Sequence, residues 1–325
     1  MSNILVSGAS GIVGYGILKS LKSANKNLKL IGTTIYEDSV AQGFCDIFEK
    51  AILTNDNNYI TWLTDTIKKH NIAFIIPGIE ADLYKWVEHI SEIESSGAKI
   101  LLNNTDLIKF TKDKWLFYEQ LQKHNVSTAI PTSLENDYEL IVEEFGANLL
   151  LKPRIGFGSK GIVKVNNKET FLIHQSKIGT DLMVQPFIGT DNEEYSASAF
   201  CDGKGGICAY MAIRRKLSND GFTEKAEVVE MESIKKAILE LCAIFKPVGP
   251  TNFQFRNHHG ELKLLEINPR ISSATSIRTA FGYNESLMSV EYYLENKLPL
   301  QPLIRKGKAV RYTEDFIFYE NSNHI

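Results

Sequence analysis

The stretch Leu262-Lys263-Leu264-Leu265-Glu266-Ile267-Asn268-Pro269-Arg270-Ile271-Ser272-Ser273 limits this chain more than any other. It opens apolar, then sets a carboxylate, an amide and a guanidinium at every second position. Side chains two apart on a strand share a face, so Glu266 and Asn268 point the same way, roughly 7 Å apart by strand rise. Pro269 has no N–H for a ladder and marks a strand end or edge, which leaves Arg270 at the mouth of whatever the other two line. Two oxygen ligands followed by a guanidinium suit a hard cation carrying a phosphate, because Mg²⁺ prefers oxygen and arginine grips phosphate in a fork. An edge strand with polar residues facing water has the same spelling, so the neighbouring segments must decide.

Pro250-Thr251-Asn252-Phe253-Gln254-Phe255-Arg256 reads as a second strand, and Asn257-His258-His259-Gly260 as the turn between the two. With a three-residue loop of His258-His259-Gly260, Asn257 pairs with Glu261 and Gln254 lies opposite Leu264. Gln254 then shares the face of Glu266 and Asn268, diagonal to Glu266. A two- or four-residue loop would turn it to the other face. The pattern Asn252-Phe253-Gln254 … Glu266-Ile267-Asn268-Pro269-Arg270-Ile271-Ser272 resembles the ATP-grasp superfamily. Within it, the pattern is similar to the synthetase halves of the carbamoyl-phosphate synthase large subunit and related carboxylate–amine ligases. The resemblance implies that Gln254, Glu266 and Asn268 hold Mg²⁺, or Mn²⁺ in its place, and that Arg270 meets the phosphates of ATP.

At 325 residues, two or three structural units are the natural expectation. Hydrophobic content of 43% and charged content of 23% belong to a soluble globular protein. A net charge of −3 with no basic run argues against nucleic acid as a partner. No apolar run reaches membrane-spanning length, and the first residues read as a strand rather than a signal peptide's apolar core. The four scattered cysteines, with no Cys-x-x-Cys pair, read as reduced thiols of a cytoplasmic protein.

Residues 3–7 form a short apolar strand, followed by Gly8-Ala-Ser-Gly11-Ile-Val-Gly14 and a helix from Ile12 to about Lys22. Leu28–Thr34 is a second strand ending near Glu37 and Asp38, where a ribose-binding carboxylate would fall in a dinucleotide enzyme. The rival function is therefore a nicotinamide-dependent oxidoreductase. The Gly-x-x-Gly-x-x-Gly spacing is weak, because close strand–helix packing needs the same turn. Tyr293-x-x-x-Lys297 echoes a dehydrogenase pair but lies too late in the chain. A helix near Asn58–His70, the strand Ala73–Pro77 and the strand Ile100–Leu102 complete this unit. Glu80 and Asp82 follow the third strand's end, where ligands of open α/β sheets collect, and are candidates to touch an amine-bearing substrate. Asp82 is equally well explained as a helix-start residue.

Asp113–Leu121 is an amphipathic helix, and the resemblance gives its Lys114 a role at the nucleotide phosphates. Leu149-Leu-Leu-Lys152-Pro153-Arg154 runs into Gly156-Phe-Gly158-Ser159-Lys160-Gly161 and the strand Ile162–Val165. Strand, glycine-rich hairpin, strand makes a flap whose backbone amides approach a triphosphate. It is not a Walker loop, since the spacing differs and no helix follows. Lys152-Pro-Arg with this loop resembles the ATP-grasp lid, which implies Lys152 on phosphate and Ser159 with its neighbours over the β/γ end. The strand Asp181–Gly189 resembles a hinge against which adenine lies, with backbone groups of Gln185 and Phe187, flanked by Pro186 and Ile188, reading the base edge. Family members usually carry an acid where Gln185 stands. Glu194 matches a ribose-binding carboxylate, with Glu193 the slipped alternative. The strand Ile207–Ile213 ends in Arg214-Arg215-Lys216, and alternation allows only Arg214 and Lys216 to point inward together. Ser233–Phe245 and Tyr283–Leu294 are amphipathic helices, Ser272–Ala280 a loop and helix start, and Ala309–Phe318 a last strand. In the carbamoyl-phosphate synthase pattern that loop faces the reacting carboxyl group, so the resemblance makes Ser273, Thr275 and Ser276 substrate-side candidates.

The expected fold is α/β: a Rossmann-like unit over residues 1–105, then a two-lobed ATP-grasp domain over 106–300 and a C-terminal strand and tail. The lid lobe spans about 125–188 and the metal lobe about 189–300. The resemblance implies a ligase in which a carboxylate attacks the γ-phosphorus of ATP and an amine or ammonia displaces phosphate from the acyl phosphate. Its partners are small molecules, and a homodimer is a family habit. A catalytically silent nucleotide-binding subunit is the other alternative.

Overall fold

The computed structural model describes residues 1–156 and 160–318. Strands β1 (Ser2–Val6), β2 (Leu28–Thr34), β3 (Ile47–Lys50), β4 (Ile72–Ile76) and β5 (Lys99–Ile100) make a parallel sheet in the order β3-β2-β1-β4-β5. Helices α1 (Ile12–Lys22), α2 (Tyr59–His70), α3 (Glu80–Glu88) and α4 (Ile90–Ser95) connect its strands. The runs Ile4-Leu5-Val6 and Phe74-Ile75-Ile76 are buried on both faces, as a covered parallel sheet requires. Ile4, Val6, Phe74 and Ile76 face a core shared with α1, whereas Leu5 and Ile75 face the core of α2.

Helices α5 (Thr105–Lys112) and α6 (Lys114–Lys123) lead to a small lobe. There α7 (Tyr138–Phe145) and α8 (Lys168–His174) pack on β6 (Leu149–Pro153), β7 (Val163–Val165) and β8 (Leu182–Pro186). This antiparallel sheet has the order β7-β6-β8. The remaining strands are β9 (Glu194–Asp202), β10 (Ile207–Leu217), β11 (Thr223–Val229), β12 (Val248–His258), β13 (Glu261–Asn268) and β14 (Lys308–Val310). They form an antiparallel sheet in the order β13-β12-β9-β10-β11-β14. Helix α9 (Glu232–Phe245) covers one face, and α10 (Thr275–Ala280) and α11 (Glu285–Glu295) cover the other. Helix α11 also reaches the first sheet, where Tyr293 stacks on Phe74 at 5.2 Å.

The hairpin departs from the expected register. His258 pairs with Glu261 across a two-residue turn, His259-Gly260, in which both residues have positive φ. Taken alone, that turn would put Gln254 on the wrong face. A bulge at Leu265 restores the phase and sets Gln254 directly opposite Glu266, with Asn252 opposite Asn268. Two other expectations are corrected. The strand entering Arg214-Arg215-Lys216 continues through Leu217, because β11 pairs with it. The short or polar strands β3 and β11 had no readable alternation. The last strand is only β14, since its ladder with β11 stops at Val310. Beyond it the chain turns to lay the Phe316 ring against Gly43 of the first unit.

Candidate active site

A cleft open to solvent lies where α3, α5 and α6 face β13 and the base of the small lobe. Glu80, Lys114, Lys152, Gly156, Gln185, Glu266, Asn268 and Arg270 line it. Each polar side chain is delivered by an element end: Glu80 by the start of α3, Lys114 by the start of α6, and Glu266 to Arg270 by the end of β13. Asp113 caps α6 by accepting from the Trp115 and Leu116 N–H groups and pairs with Arg154 at 2.7 Å. The Lys114 backbone N–H donates to the Arg154 carbonyl at 2.8 Å, and its ammonium to the Gly156 carbonyl at 2.7 Å. The Asp-Lys pair thus ties the helix start to the root of the glycine hairpin.

Half-buried Lys152 reaches across from the small lobe and donates to the Leu265 carbonyl at 3.4 Å. Burial, with Lys114 and Arg256 nearby, holds its ammonium below the usual lysine range against the pull of Glu266. Burial alone would raise the Glu266 carboxyl. Lys152, the Asn268 amide, Lys114 and Arg270 together hold it below the ordinary value. Asn268 donates to Glu266 at 2.9 Å, and its own oxygen accepts from Arg270 at 3.3 Å. Arg270 also pairs with Glu80, a bond from the third sheet to the first unit. Gln254, opposite Glu266, accepts from Arg215 at 2.6 Å. One carboxylate and two amide oxygens on one face of β12 and β13 fit a hard cation such as Mg²⁺ or Mn²⁺.

The apolar part of the cleft is built by Leu83, Phe117, Ile130, Met183 and Leu264. The side chain of Gln185 donates to Thr132 at 2.8 Å. Backbone use along β8 corrects the expected base-reading groups. Ser133 exchanges both backbone bonds with Val184, Gln185 pairs with Leu150, and the Phe187 N–H donates to the Asn148 carbonyl at 2.8 Å. The backbone of Gln185 and the Phe187 N–H are therefore engaged by the lobe's own sheet. By alternation the Pro186 carbonyl and the Ile188 N–H face the other way.

Glu194 is buried and closed in by Arg215 at 2.8 and 3.0 Å and by Arg256 at 2.6 Å, whereas Glu193 is exposed. Arg214 and Lys216, expected inside, are exposed on the opposite face of β10, and Arg214 pairs with Glu227 at 2.5 Å. Arg215 is the inward residue, only 6% exposed. Asp82 turns away from the cleft into the first unit, accepting from Thr54 at 2.6 Å and Tyr59 at 2.7 Å. Thr275 is buried against Gly16 and Ser286 rather than facing the cleft. The Ser273 carbonyl accepts from Arg311. Lys160 and Gly161 are exposed on the hairpin, Gly161 with a φ of +77°. Gly158 and Ser159 lie outside the described residues.

The N-terminal glycines are consumed by packing. A Cβ on Gly14 would overlap the Gly8 carbonyl, one on Gly78 the Ser7 carbonyl, and one on Gly8 the Ile79 side chain. The turn after β1 is thereby wedged against the turn after β4 where a dinucleotide would need to approach. Glu37 is exposed and pairs with Lys50.

Two groups were not found from sequence. Arg215 is in phase with Ala209, Met211 and Ile213, but the other phase of β10 is nearly as apolar, so alternation alone could not choose. Arg278 is fully buried beneath the ligand face, donating to Ser196, Asn252 and Ser272 and pairing with Glu285. Nothing in a lone arginine on a helix announces such a network.

The family described as ATP-grasp in the biosynthetic pathway with Ter operon matches residues 179–316. The carbamoyl phosphate synthase large chain of Archaeoglobus fulgidus is 27% identical over 197 residues, covering 56% of this chain and 18% of that protein. The chain thus spans about a fifth of the length of the curated relatives it matches. N5-carboxyaminoimidazole synthetase from Staphylococcus aureus, solved with ADP, superposes with a TM-score of 0.73 at 16% identity, covering 93% of this chain and 80% of that one. The biotin carboxylase domain of the Hydrogenobacter thermophilus 2-oxoglutarate carboxylase, solved with MgADP and bicarbonate, gives 0.71 at 16% identity, covering 94% and 73%. Among the described residues no helix is long and apolar enough to cross a membrane. The chain is thus α/β in fold, matches an ATP-grasp family over residues 179–316, and is similar in sequence to part of the carbamoyl phosphate synthase large chain.

Proposed function

We propose that the protein is an ATP-dependent ligase that activates a small carboxylate as an acyl phosphate and passes the acyl group to an amine or ammonia. The observation that carries this reading is Glu266, set among Lys152, Asn268 and Arg270 with Gln254 opposite. Gln254, Glu266 and Asn268 would hold Mg²⁺ or Mn²⁺, which when bound neutralises phosphate charge. Lys152, Lys114 and Arg270 supply fixed positive charge where the transferring phosphoryl group gains negative charge. Adenine would lie against Met183, Ile130 and Leu264, with the Pro186 carbonyl and Ile188 N–H at its edge and Glu194 near the ribose. The hairpin through Gly156 and Gly161 would cover the phosphates and keep water from the acyl phosphate. Glu80, on the first unit's side of the cleft, would meet the acceptor amine. Two similar structures hold ADP, one of them with bicarbonate, which supports a nucleotide and a small carboxylate in one cleft. The test follows ADP and phosphate release with Mg²⁺ across a panel of carboxylates and amines, with Glu266→Ala as control. ADP formation that needs one carboxylate and disappears in the variant supports the reading. Release indifferent to every carboxylate, or stoichiometric NAD binding without ATP binding, overturns it.

A further inference from the structure

Arg215 stands where strand register, burial and hydrogen bonding make it more than a partner for Glu194. On β10 it lies opposite Glu194 of β9, and Glu194 lies opposite Arg256 of β12. One guanidinium nitrogen is 2.8 Å from Glu194 Oε1 and 2.6 Å from Gln254 Oε1. The positive charge is thus bonded to one of the three oxygens assigned to the cation. Glu194 also accepts from Arg256 at 2.6 Å, so its charge keeps a cationic partner if Arg215 leaves.

Resting on the ligase reading above, we propose that Arg215 is a positioning residue that makes divalent-cation binding follow nucleotide binding. With no nucleotide, its guanidinium fills the outer lobe of Gln254 Oε1 and repels a divalent cation placed between Gln254 and Glu266. Phosphate oxygens arriving in the cleft offer the guanidinium a stronger, forked partner. Its withdrawal from Gln254 returns that oxygen to the cation. Nucleotide and metal then bind with positive coupling, and the coupling is reciprocal. No bond is made or broken.

The experiment measures Mn²⁺ binding by paramagnetic resonance, with and without ADP, in wild-type protein, Arg215→Met, Arg215→Lys and Glu266→Ala. Circular dichroism and urea unfolding check that each variant is folded. The wild-type protein is expected to bind Mn²⁺ at least about tenfold more tightly with ADP than without. In Arg215→Met, Mn²⁺ affinity without ADP rises and the dependence on ADP shrinks to the part that the diphosphate's own ligation of Mn²⁺ supplies. Arg215→Lys, charged but without the fork, falls between the two and serves if the methionine variant does not fold. A merely structural arginine would weaken Mn²⁺ binding in both states instead. Coupling unchanged in Arg215→Met overturns the role of Arg215 alone, provided Glu266→Ala abolishes the site. Mn²⁺ binding untouched by Glu266→Ala overturns the metal assignment itself, and the Arg215 role with it.

Discussion

Replacing Lys152 with methionine separates what the lysine costs from what it does. Its ammonium is buried between Glu266 and the Leu265 carbonyl, and burial with two nearby cations disfavours its charge. Methionine matches the stem length and removes that penalty, while Glu266 keeps the Asn268 amide, Lys114 and Arg270. The stability of the nucleotide-free variant should therefore stay within about 1 kcal/mol of wild type. Phosphoryl transfer has no such substitute. Losing one preorganised charge-stabilising donor costs about 10²–10³ in rate, or roughly 2.7–4 kcal/mol at 1.36 kcal/mol per decade. ATP at 100 times its Kd stabilises the wild-type protein by about 2.7 kcal/mol, a thermal shift of about 4 °C for a chain of this size. In Lys152→Met most of that shift should vanish. The assays are thermal unfolding with and without MgATP, and ADP formation under the substrate that supports it. Turnover within about threefold of wild type would refute the phosphate role. A fall in nucleotide-free Tm of more than about 5 °C would show the lysine to be a structural cation instead.

Three further outcomes follow from the geometry. Arg214→Ala and Lys216→Ala should each leave ADP formation within about twofold of wild type, as expected for exposed charges, and a tenfold loss in either would place β10 in the opposite phase. Gly14→Ala should destabilise the protein by about 2–3 kcal/mol in urea unfolding, because the new methyl meets backbone at Gly8 and Ala9 that cannot yield, and a change under about 0.5 kcal/mol would refute the packing role. The Glu266 carboxyl is held below its ordinary value of 4.5, so the unfolded chain binds its proton more readily than the native protein. Its contribution is fully present above pH 4.5 and is lost as pH falls through the depressed value. The stability of Glu266→Gln should consequently fall less steeply with acid, and parallel curves would count against the pairing.

Much of the site could be read from period two alone. Glu266 and Asn268 share a face on any strand, and the Asp113-Lys114 and Lys152-Pro153-Arg154 segments meet because a helix cap and a strand end carry their charges together. What could not be read depends on partners remote in sequence. Arg215 and Arg214 differ only in phase, and that phase is set by pairing with β9 and β11. Thr275 is drawn away from the cleft because α10 packs on the Gly16 face of α1, and Asp82 because Thr54 and Tyr59 close around it. The backbone donors of β8 depend on which neighbour each residue serves, which no side-chain pattern records.

The extra residue in β13 has one more consequence. Leu265 has no cross-strand partner in the β12–β13 ladder, and its carbonyl is the atom that Lys152 reaches from the small lobe. This contact between small lobe and hairpin is therefore written in main chain, and almost any apolar residue at 265 would preserve it. A comparison of residue identities would score that position as unimportant. Deleting it would realign the ladder and keep every charged side chain, yet take away the carbonyl that Lys152 uses.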